Sequence, residues 1–130
     1  MKTVLKVLFV LILLAITAPS KASNDVVIGH RESGDELIHV ENIRKYNLIP
    51  LMQVTIEKTY AGDETITQIK ALDMDKNSRG GTAVVTAGGV GSNLVTIKFT
   101  NKLSLAPTAI DFKVKIYGIK AVESTSRKNE

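Results

Sequence analysis

The sequence predicts an all-β protein, an antiparallel β-sandwich or flattened barrel of about seven or eight short strands. Three observations carry this. Beyond an apolar N-terminal run the dominant hydropathy period is two, turn-forming residues recur roughly every ten positions, and no segment sustains a helical period.

The N-terminus stands apart. Met1, Lys2 and Lys6 form a basic region, residues 7–18 carry no charge, Pro19 breaks the run, and Ser20-Lys21-Ala22 offers small residues where a signal peptidase reads. Residues 1–22 are therefore expected to be a signal peptide, because the apolar run falls well short of the ~20 residues that cross a bilayer. Cleavage after Ala22 leaves residues 23–119 as a single β-domain, with no membrane span. Residues 120–130, "KAVESTSRKNE", have little to bury and are expected to form a disordered polar tail.

Within the domain, Ser33-Gly34-Asp35 separates "DVVIGHR" from "ELIHV" and reads as the turn of a hairpin between them. Residues 42–50 are less regular. Val40, Ile43 and Asn47 have helical spacing over too short a span, so an irregular crossing or a single helical turn ending before Pro50 is expected. Val54, Ile56 and Tyr60 alternate with Thr55, Glu57 and Thr59, and Ala61-Gly62-Asp63 ends that strand. Ile66 and Ile69 have opposite parity, which predicts a bulge or a change of partner within residues 65–72.

Residues 77–81 form the next turn. In "TAGGVGSNLVTIKF", Gly88, Gly89 and Gly91 suit a hairpin that needs positive φ, with Gly91-Ser92-Asn93 as its tip, and Gly34 is a turn residue likewise. Val95, Ile97 and Phe99 then share one face, opposite Thr96, Lys98 and Thr100. In the last strand Ile110, Phe112, Val114 and Ile116 share a face, opposite Asp111, Lys113, Lys115 and Tyr117.

Composition narrows the function. Lys2, Lys6 and Lys21 leave with the signal, so 17 basic residues become 14 against 13 acidic ones. A concentrated basic face is not evident, and direct nucleic-acid binding is not expected. The absence of cysteine excludes thiol catalysis, Cys-based zinc sites and disulfide staples.

No stretch spells out a catalytic constellation. A dinucleotide loop needs a third glycine where Leu94 stands, and a helix where a strand follows. Asp73, Asp75 and Asn77 alternate like the start of a calcium loop, but Ser78 and Val84 occupy the positions of its turn glycine and bidentate Glu. They are weak metal candidates beside the ordinary reading as a polar turn. His30 and His39 lie on the two arms of the expected hairpin, with Asp35, Glu36 and Glu41 nearby, and no nucleophile elbow is present. A non-enzymatic protein without metal or cofactor is expected. Leu103, Leu105 and Pro107 form an apolar loop that could make contacts.

"VIGHRESGDELI", "ITQIKALDMDKNSRGGTAVVTAGGVGSNLVTIKF" and "IDFKVKIYG" together resemble the multiprotein bridging factor 2 family of insects, from about Val27 to Gly118. The resemblance implies one of two roles. The family is named for a transcriptional co-activator that bridges a DNA-bound receptor to general transcription factors, whereas many members are exported proteins of saliva, venom or haemolymph. The signal peptide favours the exported branch: a secreted, extracellular β-domain that binds a protein or small-molecule partner. Co-activation is the alternative, and an exposed sheet edge would allow a homodimer. "NKLSLAPTA" is longer and more apolar than the family's usual polar loop.

Overall fold

The computed structural model describes residues 24–75 and 80–121. The expected signal peptide and nearly all of the expected tail lie outside them. Seven strands follow in order: β1 (Val26–Gly29), β2 (Glu36–Asn47), β3 (Thr55–Ala61), β4 (Glu64–Asp73), β5 (Gly81–Gly88), β6 (Leu94–Asn101) and β7 (Thr108–Lys120). They build two antiparallel sheets, β1-β4-β7-β2 and β3-β6-β5, which leave open edges and make a sandwich, not a closed barrel.

Alternation creates the core. The faces carrying Val95, Ile97 and Phe99 on β6 and Ile110, Phe112, Val114 and Ile116 on β7 are buried, with Ile43, Ile66, Ile69 and Ala71 around them. Phe99 and Phe112 meet across the sheets with ring centroids 5.4 Å apart and tilted by 45°, an arrangement that suits the ring quadrupoles. The parity break on β4 is a bulge: the register with β7 shifts between Ile66 and Gln68.

Two expectations are corrected. β1 and β2 do not form a hairpin: β1 pairs with β4 and β2 with β7, so two strands separate them. The loop over residues 30–35 must therefore cross about 14 Å, three strand spacings. Asp35 fastens it, accepting hydrogen bonds from the Glu32 amide and the Arg31 guanidinium, both at 2.7 Å, and from the Thr67 hydroxyl at 2.8 Å. Arg31 lies 3.9 Å over the Tyr117 ring, which anchors the loop to β7.

Residues 42–47 are strand, not a helical turn or irregular crossing, and β2 runs unbroken to Asn47. A spacing of four residues is shared by both structures: Ile43 and Asn47 fall on one face of a strand as readily as of a helix. Pairing with β7 along the whole length decides for the strand. β7 also continues through Lys120, one residue beyond the expected domain end.

The glycine-rich turn connects the sheets. Gly88, Gly89 and Gly91 have φ of 64°, 122° and 86°. The Gly91 amide donates to the Ile66 carbonyl at 2.8 Å and the Ile66 amide to the Ser92 carbonyl at 2.9 Å. The hairpin tip thus adds a short rung to β4 beside its bulge. Val90 packs against Gly29, where a Cβ would sit 2.2 Å from the Thr67 carbonyl oxygen and 2.8 Å from Val90 Cγ2.

Candidate interaction surface

β2 and β6 end at one end of the sandwich, where β3 and β7 begin, so the connections 48–53 and 102–107 lie side by side there. The Leu51 amide joins them, donating to the Ser104 carbonyl at 2.9 Å. Both are apolar and both are exposed: Leu48 by 78 %, Leu51 by 62 %, Leu103 by 56 % and Leu105 by 76 %, with Tyr46, Ile49 and Met52 beside them. Pro107 is exposed in the same loop. Seven of the fifteen large apolar side chains exposed among the described residues gather at this end, a concentration that scattered surface leucines do not produce.

Two buried asparagines hold the loops in shape. Asn47 Nδ2 donates to the Ile49 and Met52 carbonyls at 3.0 and 3.1 Å, while its Oδ1 accepts from the Ile49 amide at 3.1 Å. Asn101 Oδ1 accepts from the Val54 amide at 2.7 Å, and its Nδ2 donates to the Met52 carbonyl at 2.9 Å and Thr108 Oγ1 at 3.0 Å. Met52 is thus gripped by both. The apolar side chains point outward because the backbone's polar groups are turned in. Leu51 adds strain, with φ of 57° in a region that favours glycine.

Only Leu103, Leu105 and Pro107 were legible as this surface from the sequence. Loop 48–53 was missed, although five consecutive apolar residues, "LIPLM", that follow no period of two are a usable signal. The other candidates lie elsewhere. Gly34, with φ of 85°, sits in the β1–β2 loop near Ile119. The Asp73 amide donates to Asp25 Oδ1 at 2.7 Å, and Asp73 Oδ1 accepts from the Asp75 amide at 3.0 Å, a local turn that ends β4. Asn77 lies outside the described residues. Among the described residues no group of three or more His, Asp or Glu side chains is placed to hold a metal ion.

With the hairpin absent, His30 and His39 are not brought together. His39 instead lies where the edge strands β2 and β3 face each other across the sandwich, its ring centroid 4.4 Å from that of Tyr60. Glu41 lies between, 3.5 Å from His39 Nε2 and 3.3 Å from Lys58 Nζ. Burial alone would raise the Glu41 pKa, but Tyr60, Lys58 and His39 outweigh it and hold it below its ordinary value. Burial first, and Glu41 second, push the Tyr60 phenol upward. The Tyr60 hydroxyl has no partner in hydrogen-bonding geometry, so Glu41 acts on it as a nearby charge. This cluster ties the two sheets, and its His39 and Tyr60 line a cavity of about 250 Å³ with Ile38, Glu64 and Ile116.

The fold also assembles a basic strip that the sequence did not reveal. Lys70 and Lys115 lie directly opposite each other on β4 and β7, with Lys113 two residues along the same face.

These features define a class: a two-sheet antiparallel β-domain whose most distinctive surface is an apolar, hydrogen-bond-braced loop end. The chain belongs to the family described as Transcription activator MBF2, which it matches over residues 28–118. It is also similar to a "Probable salivary secreted peptide" of Bombus ignitus, 33% identical over 97 residues that cover 73% of this chain and 69% of the relative. No solved structure matches the chain.

Proposed function

We propose that this protein is a secreted, non-enzymatic β-domain of insect saliva, venom or haemolymph that binds a partner through its apolar end. The observation that carries the reading is the cluster of exposed aliphatic side chains on loops whose backbone is locked from within. A surface that avoided contact would turn those side chains inward or replace them with polar ones. Similarity to a salivary secreted peptide supports export, and so does the leader-like sequence of residues 1–22. Transcriptional co-activation is the second reading, favoured by the family's description.

Sequencing the N-terminus of the native protein separates the two. A chain beginning at Ser23 in secreted material is the expected result, and an intact Met1 in nuclei would refute secretion. For the binding surface, the full chain and its Leu105→Ser variant serve as paired baits in the native secretion. A ligand retained equally by both places the binding elsewhere.

A further inference from the structure

We infer that the occupant of the apolar end is an anionic lipid surface: loops 48–53 and 102–107 insert shallowly at the interface while Lys45 and Lys102 meet the headgroups. The inference rests on the reading of this end as the binding surface and names what binds there.

The loop backbones point to lipid. In hydrocarbon an unpaired amide or carbonyl finds no partner, so inserted irregular segments must satisfy their own polar groups. These loops do. The Ile49 amide and carbonyl and the Met52 carbonyl are taken by Asn47, with Asn101 also on Met52. The Met52 amide donates to the Ile49 carbonyl at 3.4 Å, the Leu51 amide to Ser104, and the Ala106 amide to Ser104 Oγ at 3.1 Å. A protein partner could have supplied such bonds, whereas a lipid layer cannot.

The charges around the end agree. Among the described residues Lys45 and Lys102 make no ion pair, while Arg44 is held by Asp111 at 3.4 Å. Of the other carboxylates near this end, Asp25, Asp73 and Asp75 belong to the β1–β4 corner, with β7 between β4 and β2, and Glu57 on β3 lies opposite Lys98 of β6. Unpaired cations beside aliphatic loops complement anionic headgroups above acyl chains. Tyr46, 61 % exposed next to Lys45, suits the headgroup level, where amphipathic rings concentrate.

The test is co-sedimentation of the full chain with phosphatidylcholine vesicles, with and without phosphatidylserine, at low and high salt. Binding is expected only to the phosphatidylserine vesicles and is expected to weaken with salt. Leu105→Ser should lower the partition by about tenfold or more, and Lys45→Ser or Lys102→Ser by about fivefold each. Leu51→Gly removes an inserted side chain at a position where glycine is the better backbone fit. It should lose binding without losing thermal stability, so misfolding cannot account for its loss. Leu37→Ser, an exposed leucine at the other end of β2, should bind like the wild type.

Absence of vesicle binding, or binding unchanged by Leu105→Ser and Leu51→Gly, overturns the inference. If vesicles are ignored while a protein from the secretion is retained by the wild type and lost by Leu105→Ser, the end docks protein. The lipid inference then falls and the proposed binding surface stands. If neither vesicle nor protein is retained, both fall.

Discussion

Asn101→Ala should destabilise the domain far more than its position at a strand end suggests. The residue is 6 % exposed, and the substitution removes three side-chain hydrogen bonds: from the Val54 amide, to the Met52 carbonyl and to Thr108 Oγ1. Each contributes about 1 kcal/mol net, and a donor left buried without a partner costs up to ~3 kcal/mol. Val54 and Thr108 are themselves buried, so water does not readily replace the lost partner. The Asn101 amide still donates to the Val54 carbonyl at 3.2 Å, and that bond survives the change. The expected loss is therefore about 3 kcal/mol, or roughly 12–24 °C in Tm for a domain of this size. Urea unfolding followed by far-ultraviolet circular dichroism measures it, and hydrogen exchange at the Val54 amide localises it. Thr108→Val removes a single acceptor and should cost only about 1 kcal/mol. An Asn101→Ala loss no larger than that of Thr108→Val would refute the claim that this side chain braces the loop end.

Gly29→Ala should cost more than ~2 kcal/mol, since φ of 75° and a Cβ 2.2 Å from the Thr67 carbonyl oxygen act together. Gly91→Ala, with φ of 86° but nothing within 4 Å of the added Cβ, should cost only ~1 kcal/mol, and paired urea midpoints check the difference. The Glu32 amide, against the opposing effect of burial, together with Arg31 and Thr67 holds the Asp35 pKa below the ordinary value of an aspartate. A depressed carboxylate pKa stabilises above the unfolded value and is lost as pH falls through the folded one. Asp35→Asn should therefore be less stable than wild type at pH 7, and the two should converge in acid, as urea midpoints across pH will show. Lys115→Thr relieves the charge opposite Lys70 and should stabilise by about 0.5 kcal/mol at low salt, with the gain shrinking as salt rises.

The alternation in "TIKF" and "IDFKVKI" reveals the faces of β6 and β7, because those strands are central and wet on one side only. The parity break at Ile66 and Ile69 marks the bulge for the same reason. Strand partners were another matter. A turn such as Ser33-Gly34-Asp35 reports that the chain reverses and says nothing of what it reverses onto, so β1 was assigned to β2 when it pairs with β4. Partner choice depends on burial summed over whole sheets, which no local window contains.

The surface divides along the same line. Leu103, Leu105 and Pro107 were recognisable as an apolar loop within a single stretch. Their neighbours Leu48 and Leu51 lie some fifty residues earlier in the chain and join them only when Asn47 and Asn101 fold the two loops around Met52. The sequence by itself determined the β class, the family kinship and the inward faces, since each is carried by local period or local pattern. Tertiary structure alone decided the strand order, the Lys70–Lys115 juxtaposition and the composite apolar end. Each of these brings distant segments into contact, and that depends on long-range packing and hydrogen bonding.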